Sequence, residues 1–305
     1  MKSKEDLLGE IAQLKAEKNA VILAHYYCNG EVQALADHVG DSFYLAKIAR
    51  ETDAAVIVFC GVSFMGESAK ILNPEKTVLM PDLSADCAMA HMADVERIAE
   101  MRRQYPDLAV VCYINSTAEL KCHSDVCVTS SNAVKIVRAL PNHHIYFIPD
   151  QNLGRFVKEQ VPEKNVMLCD GYCPVHKALS AAQVLSKKQE HPDALVISHP
   201  ECRAEVLALS DYVGSTADLI RYVATSQSKS FIVCTEVGIA YCLEQAHPDK
   251  RFVFCEPCPC CADMKLNTLE KIRNVLRNGT NSVTVSEEKR KGALAPLNRM
   301  LELAK

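Results

Sequence analysis

A cluster of cysteines near the C-terminal end of the chain could do chemistry. The stretch FCEPCPCCADM, residues 254–264, contains four of them: Cys255, Cys258, Cys260 and Cys261. Thiols this close together could hold zinc, form a redox pair or bind an iron–sulfur cluster. The stretch alone does not decide among these three, because all of them use cysteine and the spacing suits more than one.

One of these cysteines belongs to a set that recurs along the chain. Cys87, Cys173 and Cys261 are 86 and 88 residues apart, and each follows a short apolar run by a few residues. A similar interval relates two other sets of polar side chains: His25, Tyr113 and His199, and, seventeen residues further on, Ser42, Ser130 and Thr216. We therefore predict that Cys261 is a metal ligand together with Cys87 and Cys173, and that the other three cysteines of the cluster are not.

Each recurring side chain lies at the end of an apolar run, or shortly after one, of the kind that forms a buried parallel strand. Such runs occur three times in each interval: VILAHYY (21–27), AAVIVFCG (54–61) and TVLMPD (77–82); VVCYIN (110–115), HHIYFIPD (143–150) and NVMLCD (165–170); LVISHPE (195–201), KSFIVCTE (229–236) and RFVFCE (251–256). The hydroxyl side chains at 42, 130 and 216 precede helical patterns and are expected to cap helices. The sequence thus predicts three copies of one unit, in the order strand, two helices, strand, helix, strand, helix.

Alternating strands and helices predict the α/β class. We expect three similar three-layer α/β/α domains with parallel sheets, arranged around a pseudo-threefold axis, with an internal repeat of about 87 residues. The expected bounds are 1–105 for the first repeat with an N-terminal helix, 106–191 for the second, and 192–305 for the third with a C-terminal extension that packs on the first. Because ligands bind at the carboxyl ends of parallel strands, the recurring side chains are expected to face one central cavity.

The composition is that of an ordinary globular protein, and we expect a cytoplasmic location. The chain has 305 residues, 49% of them hydrophobic and 24% charged, with a net charge of −4. Without a basic field no nucleic-acid partner is expected, and without an apolar run of ~20 residues no membrane partner is expected. The charged N-terminal stretch MKSKEDLLGEIAQLKAEKNA lacks the apolar core of a signal peptide. In a reducing compartment, 15 cysteines indicate metal binding or catalysis rather than disulfides.

Three cysteines at such long intervals fit an iron–sulfur cluster best. A ferredoxin places its ligands in one short motif, and catalytic zinc sites usually include histidine or carboxylate ligands. A 4Fe-4S cluster held by three thiolates leaves its fourth iron without a protein ligand, free to act as a Lewis acid. Three alternatives stay open: an iron–sulfur electron carrier or redox sensor, a zinc-stabilised binding module, and an iron–sulfur hydro-lyase acting on a hydroxy acid. A redox-sensitive pair of Cys255 and Cys258 is a further hypothesis.

Seven motifs carry a resemblance to a known family. In order along almost the whole chain, they are AHYY, GDSFYLA, VCYIN, GYCPVH, HPEC, VGST and CADMKLNTLEKI. With them the chain resembles the quinolinate synthase family. The resemblance implies three α/β/α domains around a central 4Fe-4S cluster. It also implies a transferase-type condensation of iminoaspartate with dihydroxyacetone phosphate to quinolinate, phosphate and two waters in de novo NAD biosynthesis, with a functional link to the enzyme that supplies iminoaspartate.

The resemblance assigns roles to individual residues as well. It implies that the cluster ligands are Cys87, Cys173 and Cys261. The residues implied to contact the substrates are His25, Ser42, Tyr113, Asn115, Ser130, His199, Glu201 and Thr216. Those implied to act in catalysis are Tyr27 and Glu201, as proton carriers, and Tyr113 and His176, close to the reacting carbons. These types suit the reaction, because a carboxylate and a phenol facing one cavity can exchange protons with a substrate.

Overall fold

The protein is described from a computed structural model that covers residues 3–305. In these residues the strands form three separate sheets, each of four parallel strands. The strands are β1 Ala20–His25, β2 His38–Gly40, β3 Val56–Cys60, β4 Thr77–Leu79, β5 Ala109–Tyr113, β6 Val126–Val128, β7 His144–Ile148, β8 Asn165–Leu168, β9 Leu195–Ser198, β10 Tyr212–Val213, β11 Ser230–Cys234 and β12 Arg251–Phe254. The sheet orders β2-β1-β3-β4, β6-β5-β7-β8 and β10-β9-β11-β12 are equivalent. This confirms the predicted α/β class with three similar domains.

Helices alternate with the strands, as parallel pairing requires. They are α1 Lys4–Glu17, α2 Gly30–Leu35, α3 Ser42–Glu51, α4 Ser63–Leu72, α5 Val95–Gln104, α6 Ala118–Cys122, α7 Ala133–Ala139, α8 Gln151–Gln160, α9 Pro174–Ala178, α10 Ala181–Glu190, α11 Ala204–Leu207, α12 Thr216–Thr225, α13 Ile239–Ala246, α14 Ala262–Lys265, α15 Leu269–Asn278 and α16 Glu287–Leu303, with a 3₁₀ helix at Ala88–His91.

The two inner strands of each sheet are apolar runs that are buried along most of their length. All five residues of β5 are buried, as are the last four of β3, β7 and β11. Each fully buried Val, Ile or Leu side chain stabilises the fold by about 1.5–3 kcal/mol relative to its exposed state. Since β1 pairs with β3, β5 with β7 and β9 with β11 in parallel, their carboxyl ends lie side by side. His25, Tyr113 and His199 stand at those ends.

The predicted order of elements was incomplete, because each sheet has a short edge strand that the sequence analysis did not predict. These strands are β2, β6 and β10, which are three, three and two residues long. A strand this short shows no alternation or apolar run that could distinguish it from the loop around it. It forms here because the inner strand beside it offers unpaired backbone groups.

The predicted capping role of the three hydroxyl residues was wrong. Ser42 and Thr216 are the first residues of α3 and α12, whose N-caps are the side chains of Asp41 and Ser215. Ser130 precedes Asn132, the N-cap residue of α7. Asp and Ser at the preceding position satisfy the free N–H groups of the first turn equally well. The three hydroxyls are therefore available for other partners.

The C-terminal helices contact more than one repeat. Helix α15 packs against α1, where Leu269, Ile272 and Ile11 share one buried cluster. Helix α16 packs against α6 and β6, and Arg299 donates to the backbone carbonyl of Asp125 at 3.2 Å. The predicted bounds of the three repeats stay a prediction. Among the described residues, every helix is too short or too polar to cross a membrane.

Candidate active site

A central cavity is lined by all the residues that the sequence analysis predicted as cluster ligands, substrate contacts or catalytic groups. The space between its lining atoms, including the part that is open to solvent, is about 700 Å³. The predicted site residues that line it are His25, Tyr27, Ser42, Cys87, Tyr113, Asn115, Ser130, Cys173, His176, His199, Glu201, Thr216 and Cys261. All three sheets contribute, each at the carboxyl ends of its strands, as the repeat pattern requires. The structure thus places the residues together, and their individual roles stay predictions.

The three cysteines of the cavity occupy equivalent local structures. Cys87, Cys173 and Cys261 each immediately precede a short helix, and none of their thiols caps that helix. Burial raises the pKa of Cys87 to about 12 and also raises the pKa values of Cys173 and Cys261. A thiol buried in this way ionises only if a cation lies beside it. The three sulfurs therefore favour a cationic ligand.

Two buried carboxylates hold two of these cysteine loops in place. Asp150 accepts the backbone N–H of Cys173 at 3.0 Å, and Glu236 accepts that of Cys261 at 3.0 Å. Lys265 forms an ion pair with Glu236 at 2.9 Å. The sequence analysis did not select either carboxylate. A signal was present, because the runs HHIYFIPD and KSFIVCTE both end in an acidic residue at the same position of the repeat.

A chain of hydrogen bonds connects Tyr27 with Glu201 through one residue that the sequence analysis missed. The Tyr27 hydroxyl lies 2.8 Å from Thr235 Oγ1, which lies 2.9 Å from His176 Nε2. On the other side of the ring, His176 Nδ1 is 2.7 Å from Glu201 Oε2 and 3.1 Å from Cys173 Sγ. Thr235 follows β11 directly, and no equivalent hydroxyl follows β3 or β7 that could have identified it from the repeat.

Burial and mutual charge set the protonation of the cavity. Burial raises the pKa of Tyr27 and of Tyr113 well above the usual value, and the negative charge of Glu201 adds to the effect. Burial lowers the pKa of His25 to about 3 and that of His199 to about 4. Burial raises the pKa of Glu201, but the adjacent His176 and His199 have the larger, opposite effect and lower this pKa to about 2. At neutral pH the two phenols are therefore protonated and Glu201 is ionised.

Two buried acceptors in the cavity wall have no hydrogen-bond partner among the residues that the structure describes. They are Glu201 Oε1 and Asn115 Oδ1. Leaving a buried acceptor unpaired costs about 1–3 kcal/mol, and more for a charged one. Uncharged polar side chains line the same wall, among them His199 and Ser130, whose Nε2 and Oγ atoms are 3.2 Å apart. The wall is thus suited to a polar ligand that brings its own donors.

The donor set fits an iron–sulfur cluster. Three thiols from three repeats face the cavity, and among residues 3–305 all cysteines are free of disulfides. The carboxylates of Glu201 and Glu236 lie close by, so the positive core of a cluster would offset both thiolate and carboxylate charge. Cys173, His176 and Glu201 also place ligand atoms within 4.8 Å of one another, a group that could hold a single metal ion.

The remaining cysteines of the C-terminal cluster lie outside the cavity. Cys255 is buried in the core of the third repeat together with Cys234 and Cys202. Cys258 and Cys260 are exposed and line a separate cleft. Cys261 alone of the four lines the central cavity, as the repeat spacing predicted. The hypothesis of a redox pair of Cys255 and Cys258 is not tested by these positions.

Comparison with known proteins identifies the family of the chain. A family profile described as Quinolinate synthetase A protein matches residues 9–302. The chain belongs to this family. The quinolinate synthase of Caldicellulosiruptor saccharolyticus is 50% identical over 300 residues, which cover 98% of this chain and 99% of that one. The quinolinate synthase of Clostridioides difficile is also 50% identical over 300 residues, with the same coverage. That of Fusobacterium nucleatum is 51% identical over 294 residues, covering 96% and 98%. The family resemblance is confirmed.

Proposed function

We propose that the protein is a quinolinate synthase of de novo NAD biosynthesis. It condenses iminoaspartate with dihydroxyacetone phosphate and releases quinolinate, phosphate and two waters. The atoms balance without an oxidant or reductant, so the site needs only acid–base and Lewis-acid chemistry. The observation that supports this best is the meeting of three cysteines from three repeats with Glu201 and His176 in one cavity. Membership of the family supports the same reaction.

The proposed cofactor is a 4Fe-4S cluster held by Cys87, Cys173 and Cys261. When bound, the cluster supplies one iron without a protein ligand, which can polarise an oxygen or nitrogen of the substrate. Asp150 and Glu236 keep two of the cysteine loops in position through their backbone N–H groups. An electron carrier needs no ring of acid–base groups around its cluster, so this cavity favours catalysis over electron transfer.

Glu201 is the proposed proton acceptor. It is ionised, it lines the cavity, and one of its oxygens is committed to His176, while the other is buried without a hydrogen-bond partner among residues 3–305. Tyr27 and Tyr113 carry their protons at neutral pH and act as donors to leaving hydroxyl groups and developing oxyanions. The reaction includes imine–enamine tautomerisation, ring closure and two dehydrations. Each of these steps needs a proton removed in one place and delivered in another.

Neutral donors are proposed to bind the anionic groups of the two substrates. These residues are His25, Ser42, Asn115, Ser130, His199 and Thr216. Ser42 and Thr216 stand at the N-terminal ends of α3 and α12, where free N–H groups and the helix dipole favour carboxylate and phosphate oxygens. Neither hydroxyl is used to cap its helix, because Asp41 and Ser215 do so, although Thr216 Oγ1 also lies 2.9 Å from the Tyr27 hydroxyl.

The proposal includes a cytoplasmic location, no nucleic-acid or membrane partner, and a functional link to the enzyme that supplies the unstable imine. A net charge of −4 supports the absence of a nucleic-acid partner. The decisive test is a reaction without oxygen, in which iminoaspartate is generated in situ and dihydroxyacetone phosphate is added. We expect quinolinate and phosphate in equal amounts. Turnover of a hydroxy acid, with none of this substrate pair, would favour an iron–sulfur hydro-lyase instead.

A further inference from the structure

A groove lies between helices α8 and α11, and it shares no lining residue with the central cavity. It has a polar part of about 530 Å³ and a more apolar part of about 810 Å³, both including space that is open to solvent. Asn152, Arg155 and Ala204 line both parts, so the two parts form one continuous groove. The reaction proposed above uses none of its residues.

Three cationic side chains line the polar part, and one of them has no partner in the protein. Arg155 makes no hydrogen bond or ion pair with any other residue of 3–305. Lys177 lies over the ring of Tyr172, with 3.3 Å between Nζ and the ring centroid. Arg203 forms an ion pair of 3.0 Å with Glu205, the one carboxylate that lines this part among the described residues. Positive charge therefore exceeds negative charge here by two, although the whole chain has a net charge of −4, and this excess favours an anionic ligand.

A buried amide in the same groove also lacks a partner. Asn152 is only 6% exposed, and its backbone N–H donates to the Asp150 carboxylate, but its side chain makes no hydrogen bond within the described residues. A buried amide group is unfavourable without a hydrogen-bond partner. Because Asn152 lines both parts of the groove, a ligand bound there can supply that partner.

The common fold of the repeats does not require these two residues. The residues at the equivalent positions of the other two repeats are Phe64 and Gly238, in place of Asn152, and Glu67 and Tyr241, in place of Arg155. None of the four is an amide or a cation. The unpaired amide and guanidinium thus belong to one repeat alone, as expected of a binding site and not of an element that every copy needs to fold.

The apolar part of the groove indicates what the anionic group is attached to. Its half-buried side chains include Phe156, Leu207 and Val213, which offer a surface for a flat ring. Glu159 also lines this part, so the anionic group of a ligand is favoured at the other end, beside Arg155. A guanidinium group binds the oxygens of a phosphate through two N–H groups at once, and the two charges of a phosphate match the local excess.

We propose that the groove is a binding site for an organic phosphate that carries a flat ring, such as a nucleoside monophosphate. The phosphate lies among Arg155, Lys177 and Arg203, and it accepts a hydrogen bond from the side-chain amide of Asn152. The ring packs on Phe156. This inference goes beyond the proposed function, and binding at the groove does not depend on the reaction in the central cavity.

The test measures binding of adenosine 5′-monophosphate to the protein purified without oxygen, by isothermal titration calorimetry. We expect one site per chain, and we expect Arg155→Gln to weaken binding at least tenfold, on the order of one charge-assisted hydrogen bond. The matched control is Arg103→Gln, an exposed arginine on α5 that also has no partner among residues 3–305, and its affinity should be unchanged. Adenosine, without the phosphate, and ribose 5-phosphate, without the ring, should each bind at least about tenfold more weakly.

Two further variants locate the ligand. Asn152→Leu keeps the volume of the side chain and should weaken binding about fivefold without lowering the midpoint of thermal unfolding, because the amide has no partner to lose. Ser42→Ala, in the central cavity, should bind the nucleotide as tightly as the unmodified protein does. Weaker binding in the Ser42 variant would place the nucleotide in the central cavity and overturn the proposal.

Three other results would also overturn the proposal. They are equal affinities of the Arg155 and Arg103 variants, adenosine that binds as tightly as its phosphate, and no binding to the unmodified protein. A lower unfolding midpoint in Asn152→Leu would contradict the assignment of this amide to the site. A protein that binds the nucleotide and makes no quinolinate would overturn the proposed function alone.

Discussion

His176 and Glu201 form a buried pair in which Nδ1 lies 2.7 Å from Oε2, with only 1% and 4% of the two side chains exposed. The pair occupies one oxygen of the carboxylate and leaves the other, Oε1, without a partner in the cavity wall. A carboxylate that one contact orients, and whose second oxygen has no hydrogen-bond partner in the described residues, has the arrangement expected of a general base. The predictions below begin with this residue.

Replacing Glu201 should abolish turnover and leave the metal site intact. Glu201→Gln keeps the shape and one acceptor but cannot take a proton. We expect quinolinate formation to fall by about 10²–10⁴-fold at unchanged iron content. The matched control is Glu205→Gln, an exposed carboxylate on the neighbouring helix α11. Loss of iron from the Glu201 variant would show that the residue is structural rather than catalytic.

Cys258 and Cys261, both in the C-terminal cysteine cluster, should differ sharply in how their replacement affects iron binding. The Cys261→Ala variant should lose its iron and the visible absorbance of the iron–sulfur cluster. The Cys87→Ala and Cys173→Ala variants should lose both as well. Cys258→Ala should keep both, because this thiol is exposed and lies outside the cavity. Iron content per chain, measured after purification without oxygen, distinguishes them. The reverse result for positions 258 and 261 would show that the third repeat is misaligned.

Glu236 should contribute to the stability of the Cys261 loop. Its carboxylate accepts backbone N–H groups from Cys261 and from Gly238, at 3.0 and 2.6 Å, and pairs with Lys265. Glu236→Gln leaves the Lys265 ammonium group without its counter-charge. We expect this to lower the free energy of unfolding by about 2 kcal/mol. Urea denaturation measures this, with the exposed Glu256→Gln as control. Equal midpoints for the two variants would contradict the clamping role.

The buried histidines predict lower stability in mild acid. Their pKa values are about 3 for His25 and about 4 for His199, below the unfolded value of about 6.5. Below pH 6.5 the unfolded chain binds protons that the folded chain does not, so the free energy of unfolding falls with pH. Between pH 7 and pH 5 we expect a loss of about 2 kcal/mol per histidine.

Urea denaturation of the iron-free protein at pH 7 and pH 5 tests this dependence. Glu201 adds nothing in this window, because its lowered pKa costs stability only as the pH falls below about 4.5. His199→Gln should reduce the difference between the two pH values, whereas His143→Gln, at an exposed position, should not. An equal difference between the two pH values in His199→Gln and in the unmodified protein would contradict the burial of a neutral His199.

The repeat made much of this fold predictable from sequence. Inner strands such as β5 are continuous apolar runs, and His25, Tyr113 and His199 occupy the same place in three copies. Equivalence across copies identifies ligand positions even where one residue type changes, since a strand end points to the same place in each sheet. The nine side chains of the three recurring sets could for this reason be assigned to one cavity from sequence, whereas Tyr27, Asn115, His176 and Glu201 were selected by the family resemblance alone.

Other features depended on tertiary contacts and could not be predicted in the same way. The edge strand β10 has only two residues and forms because β9 lies beside it. Thr235 has no equivalent hydroxyl in the other repeats, so the pattern that identified Cys261 could not identify it. Its contacts depend on the positions of Tyr27 and His176, which come from two other segments of the chain.

The central claim is that three cysteines from three repeats hold one iron–sulfur cluster, and the most direct measurement is the iron, sulfide and zinc content of the protein purified without oxygen. The account predicts about four irons and four sulfides per chain, with little zinc. Zinc without sulfide would contradict it. In that case the Lewis-acid role of an open iron would be lost, and Cys173, His176 and Glu201 would have to be reconsidered as ligands of a single ion.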